Sequence, residues 1–247
     1  MKMEKIVNRC LIVTVILGAL FGVLAYLTRN ESHASEAGGE FTFPLLEYLD
    51  IDLQRLDVEL IPYDGEEIIV EYKNDRPLDM EIGDNTLTIT ESDRFIVSLF
   101  AGKESEFGLR LYLPRAKYRD IAIYTGAGNV KIRGVECGKL SAITDSGDIE
   151  IDDMSYLASL VTTDGRIKAD ITTLVRDTDI LNRNGNIDIT IPPESSVAID
   201  FRTKDGECRT DKISGQIDGD YFYAWNGGRT RIGITAEHGI FTVTERK

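Results

Sequence analysis

The chain has 247 residues, of which 42 are Asp or Glu and 28 are Lys or Arg, so its formal net charge is −14 at pH 7. A hydrophobic content of 42% against 28% charged residues is enough to bury a core, which argues against a disordered or collagen-like chain. The acidic balance argues against a nucleic-acid partner, because phosphate contacts need a Lys/Arg face. Three cysteines are too few for a small disulfide-stapled protein.

Residues 11–27 form an apolar run in which Thr14 and Tyr26 are the only side chains with a polar group. As a helix rising about 1.5 Å per residue, the run reaches roughly 26 Å, which is just enough to span a membrane. Basic residues are more frequent before the run than directly after it, which places residues 1–10 in the cytoplasm. We therefore predict a single-pass protein of the cell membrane, with one N-terminal transmembrane helix, a linker over residues 28–40 and an extracytoplasmic C-terminal domain.

A cleavable signal peptide is the alternative, since Ser32 and Ala34, or Ser35 and Ala37, suit a signal peptidase. The membrane anchor is favoured because the apolar run is longer than the usual core of a signal peptide. Without the first 27 residues the chain keeps 25 basic and 41 acidic residues, a charge of −16. The exported part is therefore strongly anionic.

Alternating apolar and polar residues over 41–117 predict short β-strands. Turn signals such as Tyr63-Asp64-Gly65 and Gly83-Asp84-Asn85 separate the alternating runs. Because the spacing of these runs is uneven, we interpret residues 41–117 as an irregular β region that opens a larger β domain. An antiparallel sandwich is the alternative architecture for this region.

From residue 118 the chain repeats a turn motif centred on a glycine. Five copies follow one another at steps of 18–21 residues, and a sixth comes later; the glycines are Gly128, Gly147, Gly165, Gly185, Gly206 and Gly239. Apolar residues stand five positions before, two after and four after most of these glycines, and the positions between are mostly polar. Each repeat therefore supplies one strand that enters the turn and one that leaves it, with the apolar face inward.

A repeat of about 20 residues cannot bury its apolar face alone, so neighbouring copies must cover it. Stacking at about 4.8 Å per repeat also pairs the backbone of every interior strand. We therefore predict an all-β fold, a parallel β-helix or β-solenoid with rungs of about 18–21 residues, which is repetitive over residues 118–247 and has a closing hairpin near residues 221–228. A β-propeller needs repeats about twice as long.

The turns of the form T-x-S/D-G-D/N-I-x-I resemble those of the bacterial "putative adhesin" family, a β-strand-repeat domain of unknown function in membrane-anchored or exported cell-envelope proteins. In some Gram-positive bacteria, members of this family accompany Lia-type envelope-stress systems. The resemblance covers roughly residues 50–247 and includes the segment Trp225-Asn226-Gly227-Gly228. It implies an extracytoplasmic β-helical domain with no established catalytic residues. The last copy departs from the pattern at Glu237-His238-Gly239, which predicts a less regular end rung.

Acidic residues near the turns raise the question of a calcium site, since Asp145, Asp148, Asp152 and Asp153 lie within nine residues. The residue that follows each glycine varies, however, and Arg166 in that column does not suit a cation. We interpret the Gly, Asn and Asp residues as structural turn residues that accept a positive φ, and we predict no metal site and no cofactor.

β-Helices also include polysaccharide hydrolases and lyases, and three short elements are similar to parts of the polygalacturonase set: Asp152-Asp153, His238-Gly239 and Arg166-Ile167-Lys168. The Arg/Lys element precedes the His element here, which is the reverse of their order in that family. The chain has only two histidines, so no pair stands at metal-ligand spacing and no base is placed near a Ser or Cys nucleophile. We therefore predict no catalytic residues.

Two cysteines follow the anchor segment, Cys137 and Cys208. Cys208 falls in an inward column, and Cys137 belongs to a repeat three or four rungs earlier, a separation of roughly 14–19 Å. A disulfide needs Cα atoms within about 7 Å. We therefore predict two free thiols.

The aromatic residues near the end of the chain have two interpretations. They cover the open end of the core, which is the more frequent role, or they form a platform for a carbohydrate or a peptide. The candidate binding surface consists of Tyr221, Tyr223 and Trp225.

The leading functional hypothesis is a non-enzymatic, adhesin-like interaction module of the cell envelope, displayed outside the cell. Its negative charge favours a cationic peptide as partner, and a wall polymer or another envelope protein is a further candidate. One alternative is an envelope-stress sensor or accessory that binds cationic peptides. Another is a glycan-active β-helix enzyme.

Overall fold

The computed structural model describes residues 32–34, 38–73, 77–91, 108–154, 159–173, 176–210, 214–216, 219–225 and 227–246. The predicted transmembrane helix over 11–27, the N-terminal residues 1–10 and most of the predicted linker lie outside the described residues. Within the described ranges, no helix is long and apolar enough to cross a membrane.

The described residues form 22 β-strands and no helix. The strands are β1 (Ser32–Ala34), β2 (Gly39–Phe43), β3 (Tyr48–Leu53), β4 (Val58–Tyr63), β5 (Ile68–Tyr72), β6 (Leu78–Gly83), β7 (Thr86–Glu91), β8 (Leu109–Pro114), β9 (Tyr118–Thr125), β10 (Val130–Arg133), β11 (Cys137–Ser146), β12 (Ile149–Met154), β13 (Ser159–Asp164), β14 (Ile167–Ile171), β15 (Thr178–Asn184), β16 (Ile187–Ile191), β17 (Val197–Thr203), β18 (Glu207–Thr210), β19 (Ser214–Gln216), β20 (Gly219–Trp225), β21 (Thr230–His238) and β22 (Ile240–Glu245).

The strands form two sheets of 11 strands each. The first sheet has the order β1-β6-β7-β3-β9-β11-β13-β15-β21-β17-β20, and the second has the order β19-β18-β22-β16-β14-β12-β10-β4-β8-β5-β2. We name a first-sheet strand and the second-sheet strand that follows it a rung. Parallel rungs stack in the order β7-β8, β3-β4, β9-β10, β11-β12, β13-β14, β15-β16, β21-β22 and β17-β18. The prediction of an all-β parallel solenoid is thus confirmed for the described residues.

The core lies between the two sheets and consists of the inward residues of each rung. In the first sheet, one inward column stacks in register and is buried along its whole length: Ile123, Ala142, Leu160, Ile180, Ile234 and Phe201. The two sheets also meet through aromatic rings, since the rings of Phe201 and Phe241 stack with centroids 5.0 Å apart. Strand residues alternate between the two faces of a sheet, so the intervening positions face outward.

The glycine corners stack directly on one another. A Cβ atom at Gly147 would lie 2.2 Å from the carbonyl oxygen of Gly128, and one at Gly165 would lie 2.1 Å from that of Gly147. Of the six repeat glycines, only Gly185 and Gly239 have a positive φ. The main requirement for glycine at these corners is therefore the close approach of the neighbouring backbone, and positive φ is a secondary one.

Side chains three positions before the glycines bind the same carbonyl groups. The hydroxyl groups of Thr125, Thr144 and Thr162 donate to the carbonyl oxygens of Leu56, Gly128 and Gly147, each over 3.1 Å. The Asn182 amide donates to the Gly165 carbonyl over 2.8 Å, while its own Oδ1 atom is buried with no hydrogen-bond partner among the described residues. These side chains thus link neighbouring rungs and do not bond to one another.

The last copy of the repeat is not an end rung. Strands β21 and β22 lie between the rung β15-β16 and the rung β17-β18, so Gly239 stacks on Gly185, and Gly206 follows Gly239. Strand β20 pairs antiparallel with β17, and β17 lies between β20 and β21 in the sheet. The hairpin expected near residues 221–228 is therefore not formed by these two strands.

The irregular first part belongs to the same solenoid. Its rungs β3-β4 and β7-β8 continue the parallel stack, while β5 and β6 run antiparallel to β8 and β7. Antiparallel strands also end the stack on the other side, where β19 pairs with β18. The region 41–117 thus shares the two sheets with the repeats, which excludes a separate antiparallel sandwich for the described part of it.

Both cysteines of the solenoid are free and buried, as predicted. Cys137 lies on β11 of the first sheet, and Cys208 lies on β18 of the second sheet, four rungs further along. Burial raises the pKa of the Cys137 thiol to about 12 and that of the Cys208 thiol to about 11. Both groups are thus protonated packing residues at neutral pH.

Replacing Gly165 by alanine tests the corner contact. We expect the free energy of unfolding to fall by about 2–3 kcal/mol, because the added Cβ overlaps the Gly147 carbonyl oxygen. Gly134→Asn is the matched control: at Gly134, φ is +53° and the nearest atom to an added Cβ is Pro62 Cγ at 3.6 Å, so we expect a loss below about 1 kcal/mol. Urea unfolding followed by circular dichroism measures both. Equal losses for the two variants would contradict the corner model.

Candidate functional site

The outward face of the second sheet carries paired charges. One outward row, three positions after the repeat glycines in the repetitive part, alternates in sign along the stack: Arg110, Glu59, Lys131, Glu150, Lys168 and Asp188. In-register stacking places neighbouring side chains of this row about 4.8 Å apart. Because the sign of the charge alternates along the row, these neighbours attract each other. This face is therefore largely neutralised by its own side chains.

Glu150 is the best-defined group of this row. Its two carboxylate oxygens accept from Lys131 Nζ over 2.8 Å and from Lys168 Nζ over 2.7 Å. The hydrogen bonds from these two ammonium groups, that of Lys131 first, lower the pKa of Glu150 to about 2. Glu150 thus remains ionised throughout the physiological range.

The outward face of the first sheet has a different composition. Four neighbouring strands at its centre carry apolar residues in one register row, which we name the apolar strip: Tyr124, Ile143, Val161 and Leu181. The Leu181 side chain is among the most exposed large apolar groups of the described residues, with an exposed fraction of 43%. Tyr124 is oriented by its hydroxyl group, which donates to Asp145 over 2.9 Å.

A row of small residues runs beside the apolar strip. It consists of Ala122, Ser141 and Ser159, and its two ends in the same register row are Asp50 and Asp179. Asp52 is the register neighbour of Tyr124 on β3 and thus stands at one end of the apolar strip. Asp50 and Asp52 are exposed and have no cationic partner among the described residues. The centre of this face thus carries apolar and small side chains, with Asp50 and Asp52 at one end and Asp179 at the other.

A shallow depression of about 200 Å³ lies at the Asp179 end of this surface. Gly233 separates Asp179 from Asp200 in the register row and leaves space above the sheet. The Arg231 guanidinium crosses that space and binds both carboxylates, over 3.0 Å to Asp179 and 3.1 Å to Asp200. The Asp179 side chain nevertheless stays 71% exposed, so it can accept a further donor.

The aromatic residues predicted as a binding surface lie on β20, at the end of the first sheet. Tyr221 packs against the core, and Phe222 is 66% exposed. The side chains of Tyr223 and Trp225 lie outside the described residues. A binding role for this group stays a prediction.

The four aspartates considered for calcium have separate partners. Asp145 accepts from Tyr124, Asp148 accepts from the Arg166 amide over 2.7 Å, and the other two contact Lys168 and Arg246. Among the described residues, no group of three or more His, Cys, Asp or Glu side chains is placed to hold a metal ion.

The elements compared with polygalacturonases are also apart. His238 contacts Asp205 at a corner of the rung β21-β22, whereas Asp152 lies on β12, three rungs away. Three rungs correspond to roughly 14 Å, which is too far for His238 and Asp152 to reach the same bond of a substrate. Asp152 neighbours Lys168 Nζ at 3.8 Å. These residues do not form one site.

Sequence reasoning missed the difference between the two outward faces, although the signal is present. The column four positions before the glycines contains the apolar strip, in contrast to the charged column three positions after them. Period-two patterns assign both columns to solvent, so only their composition distinguishes them.

Comparison with known proteins identifies the family. Residues 46–156 and 111–243 match the sequence profile described as Toastrack DUF4097. No curated relative matches the chain.

Among solved structures, the chain is similar to a "putative cell adhesion protein" from Clostridium sporogenes ATCC 15579, which is 13% identical, covers 85% of this chain and 100% of its own, and has a TM-score of 0.48. A "putative adhesin" from Bacteroides fragilis NCTC 9343 is also 13% identical and covers 86% of this chain and 98% of its own, with a TM-score of 0.35.

The Glu150→Gln variant tests the charged row. Because the folded-state pKa of Glu150, about 2, is below its ordinary value of 4.5, its ion pairs stabilise the fold fully above pH 4.5 and lose this effect as the pH falls towards 2. We expect the variant to be less stable than the parent by about 1 kcal/mol at pH 7 and equally stable near pH 2. Thermal unfolding across this pH range measures the difference.

The control is Glu66→Gln, which removes an exposed glutamate that has no cationic partner among the described residues. Its effect should stay small at every pH. A Glu150 effect that does not change between pH 7 and pH 2 would contradict the assignment.

Proposed function

The chain belongs to the Toastrack family, and we propose that it is a non-enzymatic interaction module of the cell envelope that binds cationic partners outside the cell. The observation that carries this proposal is the difference between the two outward faces. The second sheet carries an alternating row of paired charges, whereas the first sheet carries apolar and small residues at its centre and the exposed carboxylates of Asp50 and Asp52 at one end.

The charge of the chain supports the choice of partner. Residues 28–247 carry a net charge of −16, so long-range attraction favours polycations and disfavours nucleic acids and anionic membrane surfaces. A cationic peptide satisfies this condition, as does an envelope protein or a wall polymer with a basic segment. A sensor or accessory role in envelope stress would use the same surface.

The proposed location rests on the N-terminal sequence. The apolar run over 11–27 with its preceding basic residues supports a single-pass anchor, with residues 1–10 in the cytoplasm and the solenoid outside.

A topology reporter tests the location. An alkaline phosphatase fused after Lys247 folds only when it is exported, so we expect an active enzyme that stays in the membrane fraction. Reversing Lys2, Lys5 and Arg9 to glutamate should lower the activity, because it removes the basic bias. An inactive parent fusion would contradict the extracytoplasmic placement, and an active fusion released from the membrane would favour a cleaved signal peptide.

Binding of an oligolysine probe tests the cationic partner. We expect the dissociation constant to rise at least about tenfold between 50 mM and 500 mM salt, because exposed charge interactions are screened. Asp50→Asn combined with Asp52→Asn should weaken binding more than Asp152→Asn combined with Asp170→Asn, since the second pair of carboxylates already binds Lys168 and Arg246. Fluorescence anisotropy measures both. Salt-independent binding, or equal effects of the two double variants, would contradict the proposal.

A further inference from the structure

The apolar strip and the small-residue row define the shape of a partner more closely than charge alone. The strip covers four neighbouring strands, so its three steps of about 4.8 Å give a length of about 14 Å along the stack. The small residues beside it lower the surface and leave a shallow floor next to the wall formed by Ile143, Val161 and Leu181. An elongated partner that lies along the solenoid axis fits this surface.

The ends of the surface fix the charge pattern of the partner. Asp50 and Asp52 stand at one end, and Asp179 stands at the other, four register steps or about 19 Å from Asp50. Asp50 and Asp52 have no cationic partner among the described residues, whereas Asp179 shares Arg231 with Asp200 and keeps a side chain that is 71% exposed. Both ends can therefore accept a cation, which complements a segment with cations at both ends and apolar side chains between them.

A second copy of the chain fits this surface less well. With the two stacks parallel, Asp50 and Asp52 would face their own counterparts. With the stacks antiparallel, the same two residues would face Asp179 and Asp200 together with Arg231 and Arg202, which already bind these carboxylates. Neither arrangement offers Asp50 and Asp52 a cation that lacks a carboxylate partner, so a separate cationic partner is favoured.

The location of the surface on a sheet face selects the conformation of the partner. An extended segment satisfies its backbone groups by pairing at a sheet edge, and the face of a sheet offers no such groups. A helix satisfies its own backbone and presents an apolar stripe on one side. Two helix positions 14 residues apart lie within about 40° of the same side and about 21 Å apart, which matches the separation of roughly 19 Å between Asp50 and Asp179.

We infer that the apolar strip and the small-residue row bind an amphipathic helix of a peptide or protein partner, with Lys or Arg residues about 14 positions apart at the ends of an apolar stripe. This inference rests on the proposed function and adds the binding face and the partner's shape. The helix lies along the solenoid axis, its apolar stripe on Val161 and Leu181, and its cationic ends beside Asp50 and Asp179.

The test uses the full-length chain in a nonionic detergent and three designed peptides of equal charge. The first forms a helix with lysine pairs about 14 residues apart, on the same side as a leucine-rich and alanine-rich stripe that lies between them. The second has its lysine pairs about six residues apart, and the third carries a central proline, which breaks the helix. We expect the first peptide to bind at least about tenfold more tightly than the other two.

Val161→Lys provides the variant on the binding face. It replaces the middle of the apolar strip by a cation, so we expect the first peptide to bind at least about tenfold more weakly. Ile69→Lys is the matched control, because Ile69 is a half-buried outward residue of the second sheet, and the substitution adds the same charge there. Its effect should stay below about twofold. Leu181→Lys repeats the test at the exposed end of the strip if Val161→Lys lowers the thermal transition.

Binding of the oligolysine probe distinguishes a failure of the helix inference from a failure of the proposed function. If oligolysine binds with the expected salt dependence but the three peptides bind alike, or if the strip and control variants have equal effects, the helix inference is wrong and the proposed function stands. If oligolysine and all three peptides fail to bind, both are wrong.

Discussion

The contact between successive corner carbonyls and glycines is the constraint on which the stacked rungs depend. From Leu56 to Gly165, each corner carbonyl approaches the next corner so closely that no Cβ fits there, and it accepts a hydrogen bond from a Thr or Asn of that next rung. Because the corner fixes both the distance and the register, the strands on either side of it are also in register. The inward columns of the two sheets follow from this single alignment.

In-register stacking has a cost on the outward faces, because equivalent side chains lie about 4.8 Å apart and like charges repel. The two sheets solve this problem in different ways. The second sheet alternates cations and carboxylates, and the first sheet replaces charge by apolar and small residues at its centre. At the corners a third solution occurs, in which Asn129 and Asp148 each accept from the backbone amide of the next rung. Arg166 cannot accept and instead binds Asp188 over 2.6 Å.

The sequence predicts the repeat, its inward columns and the solenoid, because glycine corners and period-two strands leave a regular trace. It does not predict the rung β3-β4 as part of that repeat, since Leu56 occupies the position of the corner glycine there. The sequence also does not predict that the rung β21-β22 lies between the rungs β15-β16 and β17-β18. The corners of the repeat glycines are alike, so the pattern around Gly239 fits next to Gly185 and next to Gly206 equally well. The placement depends on the whole chain, including the antiparallel strand β20 that covers β17.

Strand propensity offers a simpler account of the apolar strip, because Tyr, Ile and Val favour strands wherever they face. The second sheet argues against that account. In the four rungs that carry the strip, the corresponding outward residues of the second sheet are Lys131, Glu150, Lys168 and Asp188, and these strands are equally regular. Strand formation in these rungs therefore does not require apolar residues on the outside. Their presence on one face only, between exposed carboxylates, is better explained by contact with a partner than by the stability of the solenoid.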